Sequence, residues 1–197
     1  MKPILLIAGI PRAGKTTLAH RLESGLGLTH GPLDKYIMPV ATGSTFLEWV
    51  RTPDCIDWSL LRTHLSLLFE GFPCHAPRMD WTGATRRVSE GGPNGTGQEM
   101  MPSHVGYAIP GTHAIAFPFD EWVSTRVCIR TPDRVLAERF AEREVPSDRV
   151  KSTLAGHIGD NDQPLRTLES EADNNVSGEA IASDQLLVVK SILRSIQ

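Results

Sequence analysis

The sequence predicts a three-layer α/β domain with a mainly parallel sheet flanked by helices and a loop or lid excursion at its substrate side. Three observations lead there. Ile4–Ala8 is a short unbroken apolar run, the pattern of a strand buried on both faces. It passes directly into a glycine-bearing turn and then a helix with Leu18, Leu22 and Leu26 at spacing four. Downstream, strand-like and helix-like stretches alternate, as in parallel sheets covered on both faces. A length of 197 residues fits one domain spanning 1–197, with an excursion at 71–103 and a lid region at 131–160.

The turn reads Gly9-Ile10-Pro11-Arg12-Ala13-Gly14-Lys15-Thr16-Thr17, which contains the phosphate-loop pattern Gly-x-x-x-x-Gly-Lys-Thr. Gly9 and Gly14 let the backbone turn tightly, so that N–H groups, those of Ala13 and Thr17 included, point inward at phosphate oxygens. Lys15 brings a point charge to the β- and γ-phosphates, and the Thr16 hydroxyl is a ligand for Mg²⁺. The following helix adds the positive end of its dipole. Arg12 either touches a phosphate or points outward. Nucleotide binding is therefore expected, with ATP and Mg²⁺ as the cofactors.

Composition narrows the class. Apolar residues make up 40% and charged residues 22%, ordinary values for a globular chain. A net charge of −3 argues against a general nucleic-acid binder. Cys55, Cys74 and Cys128 form no metal-ligand spacing, and three scattered cysteines suggest a reducing compartment. The apolar N-terminus is too short for a signal peptide or membrane span, so a cytoplasmic protein with no membrane partner is expected. The oligomeric state is open, with a homodimer among the options.

In chain order, the first helix should end around Gly25-Leu26-Gly27. A second strand near residue 28 should be short or an edge, because Gly31 and Pro32 follow closely. Asp34 then falls at the strand's C-terminal end, the edge where ligands bind in open α/β sheets. Residues 42–52 read as a short helix or loop, and 59–70 as a leucine-rich helix stopped by Gly71. The glycine- and proline-rich stretch 71–103 reads as a hairpin and loop. Residues 105–109 and 124–129 read as buried strands, and 113–117 as helix or strand. Thr131-Pro132-Asp133 carries a capping residue, a proline and an early acid, so a helix should start there and run through Arg139 and Arg143. Residues 148–157 read as helical, 161–174 as loop, 175–176 as a last strand and 183–196 as a closing helix.

Laid out this way, the chain resembles the uridine kinase and phosphoribulokinase family of small-molecule kinases. The phosphate loop is the specific part of the resemblance. Asp34-Lys35-Tyr36-Ile37-Met38-Pro39 is similar to the family segment that carries the catalytic aspartate, and Pro77-Arg78-Met79-Asp80-Trp81 with Arg86 is similar to its acceptor-contacting stretch. The helix from Thr131 resembles the arginine-rich lid helix, and 170–176 the run before the final helix. The resemblance implies an ATP-dependent phosphotransferase acting on a hydroxyl of a small polar metabolite: a nucleoside, a riboside or a pantothenate-like compound. It also implies Asp34, Tyr36, Asp80, Trp81 and Arg86 as acceptor contacts. One departure concerns the metal: the family carries Val-Glu-Gly where this chain has Ile109-Pro110-Gly111.

Lys15, Asp34, Arg139 and Arg143 are thus the candidate catalytic residues. Asp34 either accepts or orients the acceptor hydroxyl, or only forms a turn. Arg139 and Arg143 share a helix face; they either grip the transferring phosphate or form a solvated face paired with Glu138 or Glu142. Rival readings are a shikimate- or gluconate-kinase-like enzyme, an antibiotic phosphotransferase, or a nucleotide-binding regulatory module.

Overall fold

The structure, a computed structural model, describes residues 2–80, 85–87, 97–141, 170–179, 187 and 189–191. Its centre is strand β1 (Ile4–Ala8), with every residue buried. Helix α1 (Lys15–Leu26) follows, closed by Gly27 in the left-handed conformation with its N–H on the Glu23 carbonyl. Strand β2 (Thr29–His30) is two residues long and forms one edge of the sheet, as Gly31 and Pro32 predict. Asp34 lies not in this strand but four residues beyond His30, in a 3₁₀ turn over Leu33–Tyr36.

Helix α2 (Phe46–Trp49) is a single turn, and helix α3 (Trp58–Glu70) is the leucine-rich helix. Asp57 caps α3 through a hydrogen bond from the Leu60 N–H, and Gly71 ends it. The excursion folds as two small antiparallel pairs. Strand β3 (Cys74–His75) pairs with β6 (Glu99–Met100), and β4 (Arg78–Asp80) with β5 (Thr85–Arg87).

The main sheet resumes with β7 (Tyr107–Pro110), β8 (Val123–Arg130) and β9 (Asn174–Ser177), with helix α4 (Asp133–Ala141) after β8. The order is β2-β7-β1-β8-β9 and all pairs are parallel. Residues 114–116, open between helix and strand in the sequence, form a 3₁₀ turn. Among the described residues no helix is long and apolar enough to cross a membrane.

Alternation along β1 explains the three layers. Leu5 and Ile7 face α1, packing with Leu18, Ala19, Leu22, Val127, Ile129 and Val176. Ile4, Leu6 and Ala8 face the other way, toward Leu61, Leu65 and Leu68 of α3. Both faces of a central strand are buried, so its sequence is apolar without a break.

Candidate functional site

The loop between β1 and α1 is shaped for an anion. Gly9 and Gly14 have φ of 147° and 104°, values that side chains rarely adopt. A Cβ on Gly9 would sit 2.9 Å from the Ile129 carbonyl of β8, so the loop also needs glycine there for close approach. Arg12 holds φ of 70°, an uncommon conformation for a residue with a side chain and one that clusters at functional sites. Helix α1 begins at Gly14 with no side-chain cap, and its first turn contains no acid. Its leading N–H groups and the positive end of its dipole are therefore left for a ligand.

Lys15 lies inside this loop, only 8% exposed. Its ammonium donates to the Gly9 and Ile10 carbonyls, both at 2.8 Å. Burial lowers its pKa from 10.5 to about 8, against the favourable charge of Asp34 and the weaker influence of Cys128. The loop carbonyls thus hold a cation that a phosphate would bind more strongly. Thr16 and Thr17 are exposed at the start of α1, within the same ligand-facing turn.

Asp34 is exposed, and its charge is felt at Lys15 and at His113. Sequence reasoning missed His113. This residue follows β7 by three positions and lies half-buried, with Nε2 2.8 Å from the Val50 carbonyl. Its pKa is lowered by burial, opposed by the Val50 bond and Asp34 and assisted by Lys15. The available signal was positional: it follows the C-terminal end of a strand adjoining β1, at the ligand edge of the sheet.

Arg139 reaches the loop from α4, but through backbone. Its guanidinium donates to the Arg12 carbonyl at 3.1 Å, the Ala13 carbonyl at 3.3 Å and the Gly178 carbonyl at 2.8 Å. Thr131, expected as a helix cap, instead turns its hydroxyl to the Ala13 carbonyl at 3.0 Å. Gly178 follows β9 so closely that a Cβ there would lie 1.7 Å from Thr131 Oγ1. These three residues lash the phosphate loop to the ends of β8 and β9. Beside them opens a cavity of about 530 Å³, lined by residues 130–133 and 175–177.

Tyr36 is a correction. It was expected to touch the acceptor, but it is fully buried. Its hydroxyl lies 2.9 Å from Nδ1 of buried His64, and the ring packs edge-on against that imidazole. It is a core residue whose polar end is satisfied internally. Asp80 and Arg86 lie on β4 and β5, with Asp80 opposite Thr85 and Arg86 opposite Met79. Trp81 and Arg143 fall outside the described residues, as do 88–96 of the excursion and the expected helix at 148–157.

Pro110 ends β7 opposite Ile7 and is buried. The bond to the Ile7 carbonyl at this point of the ladder comes from the Gly111 N–H, so it does not depend on the proline. No carboxylate is therefore available at this position. The arrangement suits the phosphates of a nucleotide through the uncapped helix, the loop backbone and Lys15. It suits Mg²⁺ more sparsely: the Thr16 hydroxyl is exposed at the helix start, and Asp34 is the carboxylate whose charge reaches Lys15. Magnesium commonly takes few protein ligands, completed by phosphate oxygens and water.

The AAA domain family matches residues 5–158. No curated protein matches the chain. Among solved structures, it is similar to a protein from Silicibacter sp. TM1040 provisionally named a fructose transport system kinase. That likeness has a TM-score of 0.59 at 17% identity and covers 89% of each chain. A provisionally named uridine kinase from Bacillus stearothermophilus gives 0.53 at 19%, covering 88% of each. An unliganded sugar kinase from Janibacter sp. HTCC2649 gives 0.53 at 14%, covering 98% of this chain and 95% of that one. At such identities these likenesses establish the shared fold.

Proposed function

The chain belongs to the AAA domain family, and from that premise we propose that it is a kinase transferring the γ-phosphoryl group of ATP to a hydroxyl of a small polar metabolite. The observation that carries this reading is the phosphate loop. A helix start without cap or acid surrounds a buried Lys15 whose ammonium is held by loop carbonyls, and the charge of Asp34 reaches that ammonium. The names borne by the similar structures, all small-molecule kinases, support the same class.

Phosphoryl transfer needs positioning and charge neutralisation more than covalent chemistry. Lys15 would leave the Gly9 and Ile10 carbonyls for the β- and γ-phosphate oxygens, and the loop N–H groups would hold the remainder. Thr16, with Asp34 nearby, would hold Mg²⁺, which neutralises developing charge on the phosphates when bound. Asp34 would accept or orient the proton of the acceptor hydroxyl. Residues 130–133 and 175–177 would receive the nucleotide base in the cavity beside Thr131. Arg139 would act by holding the loop in its phosphate-binding shape. The acceptor class follows from the resemblance of the Asp34 segment and the β4–β5 hairpin: a nucleoside, a riboside or a pantothenate-like compound.

The test is acceptor-dependent ADP release over a panel of nucleosides, ribosides, pantothenate-like compounds, shikimate and gluconate. At least one acceptor should raise the rate well above the acceptor-free rate. Asp34→Asn should then keep nucleotide affinity while kcat falls by about 10²–10⁴-fold, the usual contribution of a general base. A variant retaining more than a tenth of the rate assigns Asp34 to the turn alone. Tight nucleotide binding without turnover on any acceptor favours a regulatory nucleotide-binding module.

A further inference from the structure

A second polar cluster lies on the flank of α1, and none of its residues belongs to the phosphate loop. His20 and Glu23 stand one turn apart on the helix, and His30 ends edge strand β2. The ligand atoms of all three lie within 4.8 Å of one another. Nδ1 of His20 is 3.5 Å from Oε2 of Glu23, at the outer limit of a hydrogen bond. The rings of His20 and His30 meet edge-on with centroids 4.5 Å apart.

The deciding observation is His30. It is only 3% exposed, yet neither ring nitrogen has a hydrogen-bond partner. A neutral imidazole carries one donor and one acceptor, and buried polar atoms are otherwise paired in folded proteins. Here both are orphaned beside the imidazole of His20 and the carboxylate of Glu23. The His30 backbone N–H is directed at Glu23 Oε1, 3.4 Å away. Histidine ligates metals as the neutral imidazole, through a ring nitrogen whose lone pair is otherwise unused.

We infer that His20, Glu23 and His30 form a binding site for a divalent transition-metal ion of the zinc class, joining α1 to the edge strand β2. Two imidazoles and one carboxylate are a donor set that zinc accepts, with a fourth position left for water or another ligand. Ligands about 2.0–2.1 Å from one tetrahedral ion stand roughly 3.3–3.4 Å apart, so the 3.5 Å between His20 and Glu23 needs little adjustment. Neither imidazole favours magnesium, which takes oxygen ligands, so this site would not compete for the nucleotide's ion.

The experiment titrates Zn²⁺ into the full chain by calorimetry and Co²⁺ by visible absorption, in the presence of Mg²⁺. The expected result is one high-affinity equivalent and the intense visible bands of four- or five-coordinate Co²⁺. The thermal midpoint should rise with Zn²⁺ concentration, because the folded state alone assembles the site. His20 and Glu23 are exposed, so His20→Ala and Glu23→Gln should leave the metal-free midpoint unchanged. Each should weaken Zn²⁺ binding at least about tenfold, as loss of a ligand demands. Equal Zn²⁺ affinity in both variants would overturn the site in favour of other histidines. So would failure of the wild type to bind at about 100 μM Zn²⁺, which would leave His30 solvated by a buried water.

Discussion

At the scale of single residues, Lys15 carries the sharpest consequence, because burial and function pull its proton in opposite directions. The folded chain without nucleotide holds Lys15 at a pKa of about 8, against an ordinary 10.5. Between these values the unfolded chain binds more protons, so stability of the nucleotide-free protein should rise with pH across that window. Nucleotide binding has the reverse sign, since phosphate oxygens favour the ammonium. Above about pH 8 binding must take up a proton, and affinity should fall by as much as about tenfold per pH unit while the bound lysine stays charged. The thermal midpoint of the nucleotide-free protein and the nucleotide Kd, measured between about pH 7 and 9.5, should therefore both rise with pH, stability increasing while affinity falls. A pH-independent Kd would show that Lys15 does not charge against the phosphates. The sequence made Lys15 legible because the loop pattern is local and its glycines have one geometric meaning. Tyr36 was not legible in that way. An aromatic two residues from a candidate catalytic aspartate looks like a ligand contact, and nothing local reveals that His64, far along the chain, completes it inside the core.

At the scale of elements, α4 shows how a correct helix can have an unexpected job. Thr131, Pro132 and the acid after them marked the helix start, yet the threonine hydroxyl serves the Ala13 carbonyl rather than the helix end. Arg139, about two turns along the same helix, donates to three carbonyls, two of the phosphate loop and one after β9. No spacing rule connects residues 139, 13 and 178, so the pattern could supply the helix face but not its target. The contacts separate two roles for Arg139. If it shapes the loop, Arg139→Ala removes hydrogen bonds from a charged donor, each contributing about 1.5–3 kcal/mol. Nucleotide Kd should then rise at least about tenfold, with a lower thermal midpoint. If Arg139 acted only on the transferring phosphate, kcat would fall while Kd and the midpoint held. Binding measured with a non-hydrolysable nucleotide, alongside kcat on a working acceptor, distinguishes the two. An unchanged Kd would remove the positioning role assigned to this residue.

At the scale of the whole molecule, the sheet was legible because β1 and β7 are apolar throughout and β8 carries the apolar run Val127-Cys128-Ile129, and the short edge strand β2 because Gly31 and Pro32 crowd it. The excursion was legible as a hairpin and loop, but its two separate antiparallel pairs were not, since strands of two or three residues carry no periodicity. The least obvious dependence is that of the phosphate loop, near the start of the chain, on β9, near its end. Strand β9 pairs with β8 from Val127 to Arg130, and Asp173 just before it accepts from the Arg126 N–H at 2.6 Å. Val176 and Val189 are buried on the α1 side of the sheet, 4% and 0% exposed. The carbonyl of Gly178 receives Arg139. Each buried valine is worth about 1.5–3 kcal/mol, and whole domains retain only about 5–15 kcal/mol. Removing residues 170–197 would therefore take a large share of the stability. It would also expose the edge of β8 and leave the Arg139 clamp incomplete. The truncated chain should lose its cooperative urea transition and its nucleotide binding together. A subtler change, Val176→Ala, should shift the urea midpoint downward by the cost of a small core cavity while leaving the clamp residues in place, so nucleotide Kd should hold. Retention of a cooperative transition and of nucleotide binding in the truncated chain would show that the loop keeps its shape without the strand that closes the sheet.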